Sequence, residues 1–417
     1  MARLTDECLA TGGSLSLEAA AALIEARVPV AAGIETVPLA AADGRIAAED
    51  VTAAIRLPPH DNAAVDGYAV RHADLGVGET WLPLAGRIAA GDAPGPGAMA
   101  GRAVRIFTGA PLPPGLDTVF MQESVRRDGD RVALPPGAAP GAHRRRAGED
   151  AEAGEVVVRA GTRLRPQHLA LAAATGHERI AVRRPLRVAL FSTGNELAEP
   201  GAALAPGRVY DSNRPLLAAL LRRAGADLRD GGILRDSAGL VGRRLVEACG
   251  EADLVVTSGG VSAGDEDHVA AALAREGELA FWRLALKPGR PVAMGLIGGT
   301  PVMGLPGNPV AAYVTYAFVA APLLARLGGA TWQKPPSLLV RAAFAHRRKA
   351  GRREYLRVSL CEGADGEAEL VKFPREGSAL LSSLTGSDGL AELPEDLAEV
   401  VPGSRLRFFS HLALQSP

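Results

Sequence analysis

The reading of this chain turns on three segments between Val255 and Pro309: VVTSGGVSAGDEDH (255–268), LALKPGRP (284–291) and GLPGNP (304–309). Each belongs with a short apolar run and supplies glycines, hydroxyls, acids or cations, without a Cys or His cluster. That mixture suits a pocket for a phosphorylated, anionic ligand with a divalent cation nearby. Ser258, Gly259 and Gly260 come directly after a strand pattern and before a helical one. There, backbone N–H groups and the lack of side chains favour close approach of an anion. Neither GxGxxG nor GxxxxGK[ST] is present, so this is not a dinucleotide or P-loop fingerprint. Asp265 and Asp267 beside such a turn would repel an anion unless Mg²⁺ sat between them; as the alternative, each acid simply favours a helix start. Lys287 and Arg290 flank a Pro-Gly turn and can aim two cations at one tetrahedral dianion or phosphate, or can be solvated charges of an ordinary turn. Lys287 is the sole lysine before Lys334, in a chain that otherwise uses arginine. A compact ammonium, not a planar fork, is what such a position would keep. Asn308 stands where it can cap a helix that begins with Pro309.

Outward from these loops, residues 185–332 alternate strand and helix patterns: Arg187–Phe191, a helix from Asn213 to Leu221, a strand near Gly232–Leu234, a helix capped by Asp236 or Ser237 and ending near Cys249, Leu254–Thr257, the helix HVAAALARE, strands around 281–286 and 292–295, Val302–Leu305, and a helix from Pro309 to Leu327. The alternation predicts a parallel, doubly wound sheet with ligands at the carboxyl ends of its strands. Residues 58–143 read as a small inserted β module, with runs such as TWLPLAGRI and DTVFMQESV. Ser16–Val28 reads as a helix, and 155–184 as a segment that returns to pack with it. Residues 333–417 return to β texture, as a small barrel or sandwich.

The chain has 417 residues, 47% hydrophobic and 22% charged, with a formal net charge of -1. It is therefore long enough for two to four domains. The charge balance argues against nucleic acid or a membrane surface as a partner held by bulk electrostatics. Cys8, Cys249 and Cys361 form neither a disulfide framework nor a metal spacing, which points to a reducing, cytoplasmic setting. The N-terminus has no signal-peptide pattern, and no apolar run is expected to reach the ~20 residues of a membrane span. Asp61, Asp66 and Thr108 read locally as turn residues. None of the eight histidines forms a pair with ligand spacing.

Taken in order, DNAAVDGYAV, RIFTGAPLPPG, RRRAGED, FSTGNEL, YDSN, TSGGVSAGDED, LKPGRP, GLPGNPV, GRREYLRV and GSALLSSLTGSDGLAELPED resemble the molybdopterin molybdenumtransferase family, whose eukaryotic relatives include the gephyrin E domain. The ordered set covers nearly the whole chain.

The resemblance implies a multidomain α/β plus β protein. Its parts are an N-terminal linker and dimerisation domain (1–57 and 144–184), the β module (58–143), an α/β domain of molybdopterin-binding type (185–332) and a C-terminal β domain (333–417). It implies a homodimer that consumes adenylylated molybdopterin and molybdate with Mg²⁺ and releases AMP, with molybdopterin adenylyltransferase and apo-molybdoenzymes as possible partners. Carried over, the catalytic positions are Asp66, Asp150, Asp236, Asp267 and Lys287, with Asp66, Asp236 and Asp267 as metal ligands. Substrate contacts fall on Thr108, Glu196, Ser258, Gly259, Gly260, Arg290, Asn308, Arg352 and Ser378. Departures from the family pattern are Ala63, Val65, Asn195, Arg283 and Ala311; the last removes a hydroxyl that many members have. The competing readings are an adenylyltransferase-like enzyme and a non-catalytic scaffold that binds an anion or a partner.

Overall fold

The computed structural model describes residues 14–95, 100–261 and 268–415. At its centre is a six-stranded sheet in the order 227–234, 187–193, 254–258, 300–305, 291–297, 278–283. The first four strands are parallel. Arg187–Thr193 and Leu254–Ser258 are buried almost throughout, as strands covered on both faces must be. The expectation of a parallel sheet fails for Pro291–Ile297, which runs antiparallel to both neighbours. The reason is the two-residue link Gly298-Gly299, with φ of 58° and 87°. Two residues can close a hairpin but cannot carry a parallel crossover.

The helices of this layer are Asn213–Arg223, Ala238–Cys249, His268–Glu276 and a continuous one over 309–328. That last helix widens to a π turn at Tyr316–Ala320, where the Ala321 N–H donates to the Tyr316 carbonyl. Pro322, one residue on, has no N–H for the carbonyl of Phe318 and would clash with it in a regular helix; the wide turn accommodates this. By length and composition the 20 residues are apolar enough to cross a membrane, contrary to the sequence expectation, yet 89% of the apolar window is buried inside the protein. It is the core helix. It ends at Gly328, with Gly329 left-handed at φ 74°.

The N-terminal helix Leu17–Arg27, capped by Ser16, puts Leu17, Ala20 and Ile24 into the same core as Leu323, Leu324 and Leu327. It therefore packs on the core helix, and not on the returning segment as expected. What the return meets is the chain after the helix: Ile34–Pro38 pairs with Arg179–Arg183, and Val51–Thr52 with Val156–Val158. Ala42, Ala47, Leu164, Ala172 and Val182 form a small core beneath these pairings. Between them lies the β module, a sheet in the order 118–121, 67–70, 103–106, 80–88, 131–134, 126–128.

The C-terminal strands Leu338–Ala342, Arg353–Glu362, Ala368–Lys372, Gly389–Leu393 and Arg405–Ser410 close into a five-stranded barrel. Phe318 of the core helix stacks on Tyr355 with centroids 4.2 Å apart and meets Phe409 edge-on at 5.5 Å. Such aromatic contacts, buried in the shared core, fix the barrel against the α/β layer. A second tie is backbone: Leu286–Lys287 adds to the barrel in parallel, opposite Arg353 and Glu354.

Candidate active site

That short pairing positions the KPGRP turn. Gly289 has φ 116°, and a Cβ there would lie 2.5 Å from Thr315 Cγ2, so the turn lies directly on the core helix. At the seam between turn, helix and barrel is a cavity of about 310 Å³. The α/β side contributes Lys287, Arg290, Asn308 and Ala311 to its lining. From the barrel come Arg352, Glu354, Arg357, Lys372, Arg375 and Ser378. Five residues singled out from sequence, Lys287, Arg290, Asn308, Arg352 and Ser378, thus converge although 91 positions separate the first from the last. The loop that carries Ser378 is held from both sides: Val310 N donates to the Ser378 carbonyl at 3.0 Å, and Arg357 donates to the Gly377 carbonyl at 3.2 Å. Asn308 occupies the N-cap position of its helix but makes no side-chain capping bond, and its exposed amide faces the cavity.

Six cations and two acids line this space. Lys287 pairs with Glu354 at 2.7 Å and Lys372 with Glu376 at 2.8 Å. Lys372 also holds the Glu376 carboxyl below its usual range, chiefly through that hydrogen bond. Among the described residues, the Arg290 and Arg352 side chains have no protein partner. Arg357 is 8% exposed and donates only to Ser383 Oγ (3.2 Å) and the Gly377 carbonyl, with no carboxylate in contact. Burial pushes its pKa down from the ordinary arginine value. A buried guanidinium with no carboxylate in direct contact is costly even with Glu376 and Glu354 nearby, and an anion in the adjoining cavity would offset it further. Sequence reading missed Arg357, Lys372 and Arg375. The signal for Arg357 was available: a lone cation in the apolar run YLRVSL, a strand buried on both faces over 354–358.

A second group of loops lies at the carboxyl edge of the parallel strands. Asn195 N donates to Asp236 Oδ2 at 2.9 Å, and Asp236 N to Asn195 Oδ1 at 3.2 Å, tying FSTGNEL to RDS. Asp236 is therefore used as a loop bridge and does not cap the next helix, and Ser237 makes no side-chain cap either. Asn213 Nδ2 donates to Ser258 Oγ (2.8 Å) and the Gly307 carbonyl (2.7 Å), joining YDSN, TSGG and PGNP. Ser258, 3% exposed, is thus a buried tie between loops, not a group free to meet a ligand. A Cβ on Gly259 would lie 2.5 Å from the Thr193 carbonyl oxygen, and its φ is 95°. Glycine is required there by packing of the two loops, whatever else binds. Glu196 is exposed. Asp265 and Asp267 lie outside the described residues.

In the β module Asp66 Oδ1 accepts from both Thr108 N and Thr108 Oγ1, each at 2.8 Å. These donors, the backbone one first, lower the Asp66 pKa, with Arg105 adding charge. The structure thus joins the two motifs that sequence had left as separate turns. Asp61 Oδ1 accepts from Ala147 N (2.8 Å) and binds RRRAGED to the module. Asp150 is exposed, its N–H donating to the Leu57 carbonyl.

Among the described residues no three of His, Cys, Asp and Glu converge to hold a metal ion. Asp66 and Asp236 sit in different modules. Asp267, the third of the expected metal ligands, lies outside the described residues.

Three family profiles match in chain order: the MoeA N-terminal region (domain I and II) over residues 15–176, a probable molybdopterin binding domain over 189–326, and the MoeA C-terminal region (domain IV) over 340–408. The molybdopterin molybdenumtransferase of Haemophilus influenzae is 36% identical over 402 residues, covering 95% of this chain and 99% of that one. Molybdopterin molybdenumtransferase 2 of Mycobacterium tuberculosis is 38% identical over 385 residues, with 89% and 94% covered. The chain belongs to the molybdopterin molybdenumtransferase family. A solved molybdopterin biosynthesis MoeA protein from Pyrococcus horikoshii superposes with a TM-score of 0.81 at 29% identity, covering 96% of this chain and 100% of that one.

Membership makes the chain a transferase of molybdenum cofactor biosynthesis. Its departures from the family pattern can now be placed. Ala311 is 4% exposed and lines the seam cavity, so the missing hydroxyl is missing at the site itself. Asn195 is half of the bridge to Asp236, where an aspartate would set two carboxylates side by side. Ala63 is fully buried in the core of the β module.

Proposed function

We propose that this protein inserts molybdenum from molybdate into adenylylated molybdopterin and releases AMP, giving molybdenum cofactor. The observation that carries the reading is the seam cavity, with six cations, two acids and a buried guanidinium that no carboxylate contacts. Molybdate is a tetrahedral dianion, and Arg290, Arg352 and Arg357 offer rigid forks while Ser378 offers a hydroxyl. Asn308 adds an uncommitted amide. Among the described residues, none that lines the cavity is a Cys or His that would reduce or capture the metal.

The pterin nucleotide would lie along the carboxyl edge of the parallel sheet, the usual ligand edge of such a fold. Gly259, Gly260, Glu196 and Asp236 belong to the loops of this edge. Cleaving the phosphoanhydride that links pterin phosphate to AMP develops negative charge, which fixed cations stabilise. Magnesium dependence belongs to this proposal: the ion would supply charge neutralisation near Asp236 and Asp267. Asp66, held ionised by Thr108 in the β module, and Asp150, in the segment that follows it, would reach the reaction together, and a homodimer is the arrangement in which a second subunit could present them. A cytoplasmic setting goes with this chemistry.

The adenylyltransferase-like alternative does not need the barrel, yet the barrel supplies more than half of the cavity lining. A scaffold would have no need for a buried arginine that no carboxylate contacts, set beside a cavity lined by five further cations. The experiment is AMP release from adenylylated molybdopterin with Mg²⁺, with and without molybdate. Molybdate-dependent release, with a product that activates a molybdenum-free apo-enzyme, is expected. Tight nucleotide binding without release would favour the scaffold.

A further inference from the structure

An acid in the wall of an oxyanion cavity is electrostatically adverse, so Glu354 requires a reason. It is 3% exposed and sits in Arg353–Glu362 directly opposite Lys287 in the parallel pairing. Its Oε1 lies 2.7 Å from Lys287 Nζ. The other cations nearby lie farther from it. Arg348 Nε is 3.9 Å from Oε2, but Arg348 donates to the main-chain carbonyls of Leu397, Arg352 and Pro394. His346 Nε2 is 3.5 Å from Oε2, and neither atom makes a hydrogen bond. Among the described residues, Lys287 is therefore the nearest cation to this buried carboxylate, an ion pair at 2.7 Å.

The Lys287 side chain is 45% exposed, so its ammonium reaches the cavity while one edge rests on Glu354. An ammonium has three donors, and one given to Glu354 leaves two for a ligand. An arginine in the same place would meet the carboxylate with its planar fork, two parallel donors at once, and turn that fork from the cavity. Composition agrees with this. The chain has four lysines among 46 basic residues. Three of the four, Lys287, Lys349 and Lys372, line either this cavity or the adjoining basic cleft of about 390 Å³.

We propose that Glu354 is a positioning residue: it holds the Lys287 ammonium by one donor so that the other two face the bound oxyanion, and it is why position 287 takes lysine and not arginine. The inference rests on the transferase reading. Its test uses the full-length protein and the variants E354Q, E354D, K287R and E354Q in a K287M background.

Removing the carboxylate loosens Lys287 but also removes a negative charge from the cavity, two opposing effects on molybdate affinity. Glu354→Gln should therefore lower kcat for AMP release about tenfold with the molybdate KM within about threefold of wild type, a loss of transition-state positioning and not of ground-state binding. Glu354→Asp should recover part of kcat. Lys287→Arg, which keeps the charge, should lose about as much as Glu354→Gln. In the K287M background Glu354→Gln should add nothing, the non-additivity expected of a coupled pair. A Glu354→Gln that binds molybdate more tightly at full kcat, a fully active Lys287→Arg, or additive effects in the double variant would each overturn the proposal.

A second readout does not depend on turnover. With ¹³C-lysine the four lysines give four side-chain signals, and Lys287 is assigned by its loss in K287R. Inorganic molybdate should shift that signal in the wild type, and Glu354→Gln should move it towards the exposed lysines before any addition. A Lys287 signal indifferent to Glu354→Gln overturns the proposal. If the wild type releases no AMP at all, the transferase reading fails, and the lysine spectrum alone decides the pairing.

Discussion

The seam cavity and the acidic groups are built in opposite ways. The seam draws five of the sequence-selected residues, with Arg357, into one space of about 310 Å³ within a single chain. The acids stay apart: Asp66 is bound to Thr108 in the β module, Asp150 is exposed with its N–H on the Leu57 carbonyl, and Asp236 is bridged to Asn195 at the sheet edge. The contrast has a physical origin. Cations and an amide gathered around a cavity are tolerable when exposed arms can retreat to water and two acids offset part of the charge. Carboxylates gathered without a cation raise one another's pKa and repel. An oxyanion site can thus be preformed, whereas an acidic site is completed by whatever brings its charges together. We propose that substrate, metal and a second subunit do this.

If the acids carry the chemistry and the seam carries the anion, variants on the two sides should fail differently. Asp66→Ala should give the largest effect, a fall in AMP release of about a hundredfold or more, as for loss of a group acting directly in a reaction. Folding and molybdate binding should be unchanged by calorimetry. Loss of molybdate binding in Asp66→Ala would break the division. Arg357→Gln should follow, with molybdate affinity weaker by about a hundredfold, the range for truncating one side of a buried charge contact, read by calorimetry against a circular-dichroism check of fold.

Thr108→Val removes one of the two donors that depress the Asp66 pKa. The sign follows: in the wild type the carboxylate stays ionised to lower pH than an ordinary aspartate, so activity that needs it is lost only as pH falls through the depressed value. Thr108→Val should move the acid limb of the rate profile upward without changing molybdate affinity. The smallest effect expected is Ala311→Ser, which returns a hydroxyl to the cavity wall and should tighten molybdate by about tenfold or less, the worth of one hydrogen bond. An effect on nucleotide binding instead would place Ala311 on the wrong side of the comparison.

Much of this was legible in the residues. The strand and helix alternation from Pro185, the turn KPGRP and the helix starting at Pro309 are local signals, and local chemistry decides them. Lys287, Arg290, Arg352 and Ser378 could be selected one by one, but their meeting at a seam depends on the docking of Phe318 against Tyr355 and Phe409, which no local pattern carries. Arg357 was missed because a strand cation reads as solvent-facing unless both faces are known to be covered. The strand 291–297 was expected but its antiparallel direction was not, although Gly298-Gly299 announces a hairpin, because the surrounding alternation favours a parallel reading. Leu17–Arg27 was recognised as a helix, but its apolar stripe does not say which surface it covers, and it covers the core helix. The same holds for Ser258 and Asp236, whose side chains proved to tie loops together.

The central claim is that the seam cavity takes the oxyanion. A crystal of the full-length protein soaked in molybdate, with diffraction collected across the molybdenum absorption edge, tests it most directly. The account predicts an anomalous peak between Arg290, Arg352, Arg357 and Ser378, within reach of Lys287. A strong peak elsewhere on the chain, with the seam empty at saturating molybdate, would contradict it.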